Sequence, residues 1–269
     1  MTEIKWLHPD TIAAVLEQLK TDDAVLHGGG THLSGKRLRE RQKLISLTKL
    51  HLRYIKQEHG RIRIGSLTDY NTIVRELQKL APGHILTKSL SRAATNPLRN
   101  RITIGGSLRL APNWSDLTGP LLALDAKVSI AGEATDEIPV KKYLESKTLK
   151  KRTLITEISI PDIQWDSWYY REGLTKNDHP VFTLTILSRS DGKILEDIAI
   201  SITGHTKRFL RATVIENQLK GTAINQIELQ NISRGMEVKF TPAKGMSSEY
   251  IRHLMETQLE RGLYKSLKT

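Results

Sequence analysis

The sequence contains no cysteine among its 269 residues. The chain therefore cannot form disulfides, thiolate zinc sites or cysteine-ligated iron–sulfur clusters, and it offers no cysteine nucleophile. If the protein exchanges single electrons with iron–sulfur centres, another chain must supply those centres. We expect no metal site in this chain.

Long hydrophobic runs are absent as well. No apolar stretch approaches the roughly 18 residues that are typical of a membrane-spanning helix, and the N-terminal residues 1–6 lack the basic and apolar regions of a secretory signal. We therefore predict a cytoplasmic protein without a membrane span. The length suits one large domain or two ordinary ones.

Aromatic residues are scarce, at 5% of the chain, although the formal net charge is +12. Stacking platforms for single-stranded nucleic acid are therefore not evident. The basic residues are dispersed, and the densest run, 141–152, lies where a solvated helix and connector are expected. We predict a solvated basic surface that meets an acidic partner, and no nucleic-acid binding.

The hydrophobic pattern changes near Pro161. Before it, short apolar strands alternate with helices, including a hairpin at 54–57 and 61–64 and a helix that Thr68 caps. After it, three β-rich segments form a predicted meander with a hairpin turn at Asp191-Gly192, and two helices follow at about 209–219 and 249–263. This pattern predicts an N-terminal domain, residues 1–161, and a C-terminal α+β domain, residues 162–269.

A short apolar strand runs directly into three consecutive glycines, Gly28, Gly29 and Gly30, which Thr31 follows. Glycine has no Cβ, so the backbone can approach a ligand closely, and successive N–H groups can form a nest for a phosphate. A helix after Ser34 would add a favourable dipole. The spacing fits neither a Walker loop nor a Rossmann turn, and a purely structural turn remains an equal alternative.

A second glycine turn, Gly105-Gly106, follows an apolar pair and has hydroxyl groups at Thr103 and Ser107. Asp116 lies further on. Two such turns in one domain, both beside hydroxyl groups, indicate a diphosphate that is held from two sides. The residues alone thus predict the phosphate site of a nucleotide or a dinucleotide.

Several motifs resemble those of one known family, the FAD subunits of molybdenum hydroxylases such as xanthine dehydrogenase and carbon monoxide dehydrogenase. The matching motifs occur in the family's order across most of the chain: the glycine turn at 28–33, Arg63–Thr68, Arg99–Ser107, Pro112 with Ser115–Leu117, and Ser248–Leu254.

The resemblance implies an α+β fold. A PCMH/vanillyl-alcohol-oxidase-type FAD domain with two α/β lobes, about 1–53 and 54–161, would precede a smaller α+β domain of the CO dehydrogenase flavoprotein C-terminal type. It also implies non-covalent FAD as the cofactor, with the flavin rather than a side chain doing the chemistry.

The resemblance further implies partners. A large molybdopterin subunit would oxidise a substrate such as xanthine, and a small subunit with [2Fe–2S] clusters would pass electrons to this FAD. The reduced flavin would then reduce NAD⁺ or another acceptor.

The residues that would hold FAD follow from the same motifs. The residues that would contact one side of the diphosphate are Gly28, Gly29, Gly30, Thr31, His32 and Leu33. Those that would contact its other side and the ribityl chain are Thr103, Gly105, Gly106 and Ser107. Asp116 would approach the adenosine or ribityl hydroxyls.

Four features depart from the family pattern. Ser107 stands where the family usually has asparagine, and Ile102 stands where it has glycine. His32 stands at the usual aspartate position, and we expect its side chain to make a polar contact or to be exposed. The segment 170–181, which in the family commonly reaches the flavin ring, matches poorly. NAD⁺ as the acceptor is therefore open.

Two other functions fit parts of the sequence. A stand-alone flavin reductase of the enolpyruvyl-sugar type also uses a glycine turn in its first lobe, but its second motif differs. A basic module that binds nucleotide or RNA phosphates would explain the charge.

Overall fold

The computed structural model describes residues 4–33, 43–132, 136–230, 232–233 and 236–267, which group into two units. The first unit comprises Met1–Ile73, Thr95–Leu110 and Asp125–Asp162. The second comprises Val74–Ala94, Ala111–Leu124 and Ile163–Thr269. The units interleave along the chain, and the division at residue 161 stays a prediction, as do the two lobes.

The first unit begins with a three-stranded parallel sheet in the order β1-β3-β2. Its strands are β1 (Lys5–Leu7), β2 (Ala24–His27) and β3 (Lys43–Ser46). Parallel neighbours need a crossover, and the helix Ile12–Gln18 connects β1 to β2. Thr11 caps that helix by accepting a hydrogen bond from the N–H of Ala14.

A five-stranded antiparallel sheet, in the order β4-β5-β8-β6-β7, completes the first unit. Its strands are β4 (Ile55–Glu58), β5 (Arg61–Gly65), β6 (Lys127–Ala131), β7 (Asp136–Pro139) and β8 (Leu154–Pro161). β4 and β5 form the hairpin that the sequence predicts.

Arginine and isoleucine alternate along β5, and the two faces of this strand therefore differ. Ile62 and Ile64 are buried, whereas Arg61 and Arg63 lie on the partly exposed face. Arg63 pairs with Glu157 on β8 at 2.6 Å. The phenol of Tyr54 donates to the same carboxylate at 2.7 Å, so this buried acid has two donors.

The described helices before residue 150 are mostly short, and most have a buried side. After Ile12–Gln18 they span Tyr70–Leu80, Ile85–Leu90, Asn96–Arg99, Ile104–Leu110, Thr118–Ala123 and Val140–Glu145.

The prediction that Thr68 caps the helix Tyr70–Leu80 is wrong. Asp69 is the cap, because its Oδ1 accepts the N–H of Thr72 at 2.9 Å. The hydroxyl of Thr68 instead bonds the backbone of Tyr54 as both donor and acceptor.

The second unit contains an antiparallel sheet in the order β12-β11-β10-β9. Its strands are β9 (Asp166–Glu172), β10 (Phe182–Ser190), β11 (Leu195–Thr203) and β12 (Phe209–Arg211). The predicted meander is confirmed, and Gly192 in the β10–β11 turn has φ +88°. Three helical segments follow: Thr213–Leu219, a 3₁₀ turn at Ile224–Gln226, and Ser248–Leu267.

The predicted helix at 209–219 is wrong in its first part. Phe209–Arg211 pairs with β11 and the helix begins only at Thr213. None of the described helices has the length and apolarity that a membrane span requires.

The C-terminal helix Ser248–Leu267 covers the sheet of the second unit. Buried residues recur along one side at Ile251, Met255, Leu259 and Leu263, the spacing of a helix face. Gly262 lies where the helix meets β9, since a Cβ there would be 2.5 Å from Cε3 of Trp168. The missing side chain therefore lets the helix approach the indole.

We expect Gly262→Ala to lower the free energy of unfolding by about 1–2 kcal/mol. Moving the indole costs up to about 3 kcal/mol, and alanine recovers roughly 1 kcal/mol over glycine in a helix. Urea-induced unfolding measures the difference. The neighbouring exposed change Arg261→Ala is the control and should alter stability by no more than about 0.5 kcal/mol. A Gly262→Ala protein as stable as the wild type would contradict this packing.

Candidate dinucleotide site

The first glycine turn presents unused backbone donors. Within the described part of the chain, the N–H groups of Gly28, Gly29, Gly30 and Thr31 donate no hydrogen bond to a protein acceptor. The turn closes when the N–H of Leu33 donates to the carbonyl of Gly30, whose φ is +72°. Consecutive free N–H groups form the nest that suits a phosphate. The predicted helix after Ser34 lies outside the described residues.

The second glycine pair is built differently from the sequence prediction. It lies in the first turn of the helix Ile104–Leu110 and not in a turn after a strand. The N–H of Gly105 donates to the carbonyl of Ser66 at 2.9 Å, and that of Gly106 donates to Oγ1 of Thr103 at 3.2 Å. These two backbone donors are therefore already used.

The two glycine segments pack directly against each other. A Cβ on Gly29 would overlap the carbonyl oxygen of Arg101, and one on Gly105 would lie 2.7 Å from Cβ of Ser66. At these two positions the missing side chain makes room for protein and not for a ligand, contrary to the sequence-based reason. A Cβ on Gly28 would sit 3.3 Å from Oγ1 of Thr103, which is tight but tolerable.

Two clefts open on either side of this contact, and Gly28, Gly29 and Thr103 line both. The first has a volume of about 610 Å³ and a largely apolar floor that includes Leu19, Ala24, Val25 and Leu26. The second has a volume of about 580 Å³ and a polar lining that includes His27, Thr48, His51, Arg53, Asn100 and Arg101.

Most of the predicted site residues meet in the first cleft. Its lining includes Gly28, Gly29, Gly30, Thr31, His32, Leu33, Thr103, Gly106 and Ser107. Gly105 is buried behind them, and Asp116 belongs to the second unit. The geometry offers hydroxyl groups at Thr31, Thr103 and Ser107 beside the free N–H groups.

Two cations in the first cleft were not predicted. Arg109 donates to the carbonyl of Thr153 at 3.0 Å. Lys150 donates to the carbonyl of Leu144, and its Nζ lies 5.6 Å from the ring centroid of Tyr143. Lys150 falls in the run that the sequence assigns to a solvated connector, and no local pattern separates it from its basic neighbours.

His27 connects the turn to the second cleft. Its ring lies 4.9 Å from that of Trp6 in an edge-on contact. Burial lowers the pKa of His27, and the charge of Arg101 contributes to the same shift. This shift favours the neutral form of the imidazole, and Arg53 and Arg101 are the permanently charged side chains that line this cleft.

Asp116 is held within the second unit. Its Oδ1 accepts hydrogen bonds from the phenol of Tyr169 at 2.7 Å and from Nε of Arg171 at 2.9 Å. Burial raises the pKa of Asp116, while Arg171 and the Tyr169 hydrogen bond oppose that effect. The predicted contact of Asp116 with cofactor hydroxyls stays a prediction.

The connection between β9 and β10 is attached to this ion pair. Arg171 also donates to the carbonyl oxygens of Lys176 and Asp178 in the β9–β10 connection. On the same connection, His179 stacks on Trp114 with a centroid distance of 3.7 Å. Arg171 and Tyr169 went unpredicted because their role depends on pairing with a residue more than 50 positions away.

Comparisons with known proteins cover both units. A family model described as the FAD binding domain in molybdopterin dehydrogenase matches residues 2–163. A second, the CO dehydrogenase flavoprotein C-terminal domain, matches residues 170–266.

Individual relatives are distant but extend over most of the chain. The carbon monoxide dehydrogenase medium chain of Hydrogenophaga pseudoflava is 25% identical over 81% of this chain and 79% of its own length. The nicotine 6-hydroxylase medium subunit of Paenarthrobacter nicotinovorans is 25% identical over 98% and 97%. A solved carbon monoxide dehydrogenase from Hydrogenophaga pseudoflava superposes with a TM-score of 0.90 at 20% identity, covering 98% of this chain and 97% of that one.

The contact between the glycine segments predicts different effects at adjacent positions. Gly29→Ala should lower the free energy of unfolding by about 3 kcal/mol or more, the upper end for overpacking, because the Arg101 backbone must move. Gly28→Ala, the matched control, should lower it by less than about 1 kcal/mol. Urea titrations of both variants without added ligand measure this difference, and equal stabilities would argue against the contact.

Proposed function

This chain belongs to the FAD-binding subunits of the molybdopterin dehydrogenases, and we propose that it holds FAD at the first glycine turn to transfer electrons within a molybdenum hydroxylase complex. The family membership argues against both alternatives, the enolpyruvyl-sugar reductase and the basic phosphate-binding module. It makes the chain an oxidoreductase subunit.

The proposed site rests on four consecutive N–H groups, those of residues 28–31, which have no acceptor among the described residues of the protein. Exposed donors of this kind suit the oxygens of a diphosphate. The hydroxyls of Thr103 and Ser107 line the same cleft and add donors from the opposite side.

The shape of the site supports a dinucleotide. FAD has a central diphosphate with one ring system at each end, and the wall of Gly28, Gly29 and Thr103 separates two clefts of similar volume. We propose that the diphosphate lies at this wall. Bound FAD supplies the redox chemistry, and the residues of this chain bind the cofactor and fix its orientation.

The resemblance to the family is the basis for the partner subunits that we propose. We propose a cytoplasmic heterotrimer of the xanthine dehydrogenase type, in which a small subunit with [2Fe–2S] clusters delivers electrons and a large subunit carries molybdopterin. NAD⁺ or another acceptor then receives electrons from the flavin. The lack of cysteine supports this division, because the cluster ligands must come from another chain.

The purified chain should show flavin absorption bands and release about one equivalent of FAD on heating, as expected for one cofactor per subunit. Ser107→Leu should weaken FAD binding by at least about tenfold, because the larger side chain enters the first cleft. Lys142→Leu, which adds a leucine on an exposed position of the same unit, is the control. A colourless wild-type chain that also takes up no added FAD would refute the proposed site.

The proposed complex is tested by co-expressing the chain with candidate large and small subunits. We expect the three to co-purify, association to weaken in high salt because the basic surface meets an acidic partner, and xanthine to bleach the flavin absorption. NAD⁺ should then restore the colour if it is the acceptor. Bleaching by an aldehyde or by carbon monoxide, with xanthine inactive, would contradict the proposed substrate and leave the FAD site intact.

A further inference from the structure

The side of the glycine turn that faces the second cleft carries a positive charge at Arg101. The Arg101 backbone touches Gly29, since a Cβ on that glycine would overlap its carbonyl oxygen. Arg101 lines the second cleft beside Gly28 and Gly29, and its side chain is exposed. This arginine is therefore anchored at the free N–H groups through its own main chain.

The charge of Arg101 also acts on a ring beside the same turn. Arg101 acts electrostatically on the ring of His27. That ring lies under the turn, because a Cβ on Gly30 would be 2.5 Å from its Nε2. Arg101 thus adjoins Gly29 through its main chain and lines the same cleft as Gly28 and Gly29.

The charge of Arg101 is not neutralised by the described part of the protein. Arg53, which lines the same cleft, pairs with Asp69 at 3.1 Å, and Arg63 pairs with Glu157 at 2.6 Å. Arg101 has no ion-pair or hydrogen-bond partner for its guanidinium among the described residues, and its side chain is exposed. A free guanidinium beside a row of free N–H groups is suited to a phosphate, which accepts two parallel hydrogen bonds from it.

We infer that Arg101 binds the diphosphate of FAD from the second cleft, on the side opposite the hydroxyls of Thr31 and Ser107. This inference rests on the proposed function, since it needs the diphosphate at the glycine turn. Arg101 then supplies a charge that the uncharged glycine turn lacks, and it distinguishes phosphate-bearing ligands from riboflavin.

Arg101→Gln tests this role in the full chain freed of flavin. We expect the Kd values for FAD and for ADP to rise about ten- to a hundredfold, the range of a lost charged hydrogen bond, while the Kd for riboflavin is unchanged. The dependence of the FAD affinity on salt should also become weaker, because one ionic contact is lost. Titration calorimetry and flavin fluorescence measure these affinities.

Two further variants separate charge from geometry and from general effects. Arg101→Lys keeps the charge but loses the planar fork, so its Kd for FAD should lie between those of the wild type and Arg101→Gln. Lys56→Gln removes an exposed cation elsewhere in the first unit and should leave all three affinities unchanged. Because the Arg101 side chain is exposed, we expect the urea midpoint of Arg101→Gln to match that of the wild type.

The outcomes distinguish this inference from the proposed function. If the wild-type chain binds FAD and ADP and Arg101→Gln binds both equally well, only the role of Arg101 is refuted. An equal loss of riboflavin affinity would also refute it, because the contact would then be with the ring system. If the wild-type chain binds neither FAD nor ADP, the proposed function itself fails.

Discussion

The candidate cofactor site depends on the backbone contact between Gly29 and Arg101. This contact holds the turn after β2 against the segment that leads into the helix Ile104–Leu110. A side chain at Gly29 would separate the two segments, and the wall between the clefts would be lost. The free N–H groups of the turn owe their common position to this packing, because they form no hydrogen bonds of their own within the described protein.

The two glycine segments have different tasks as a result. The first offers unused donors, whereas the donors of Gly105 and Gly106 are already used by Ser66 and Thr103. The second segment contributes hydroxyl groups, and it packs closely against the first segment. A diphosphate would carry negative charge that hydroxyls and N–H groups solvate but do not neutralise, and Arg101 in the second cleft is a cation without an ion-pair partner among the described residues.

The second unit buries a carboxylate, that of Asp116. Asp116 and Arg171 are both almost fully buried, so each would be costly without the other. Because Arg171 also bonds two carbonyl groups of the β9–β10 connection, the ion pair fixes a loop as well as a charge. The conformation of the β9–β10 connection is thus determined by a residue within the sheet.

Local chemistry in the sequence was sufficient for the β4–β5 hairpin, which alternation of isoleucine and arginine specifies, and for the β10–β11 turn at Gly192. The resemblance of short motifs to those of a known family was sufficient for the family. It also identified most of the residues that line the first cleft. Only the tertiary structure shows that Asp69 rather than Thr68 caps the helix Tyr70–Leu80 and that Gly29 faces Arg101 rather than a ligand. It also shows that Lys150, a member of the basic run 141–152, lines the first cleft. Strand patterns and turns depend on residues that are neighbours in the sequence. These three roles depend instead on contacts with residues that are distant in the sequence, and only the folded chain brings those residues together.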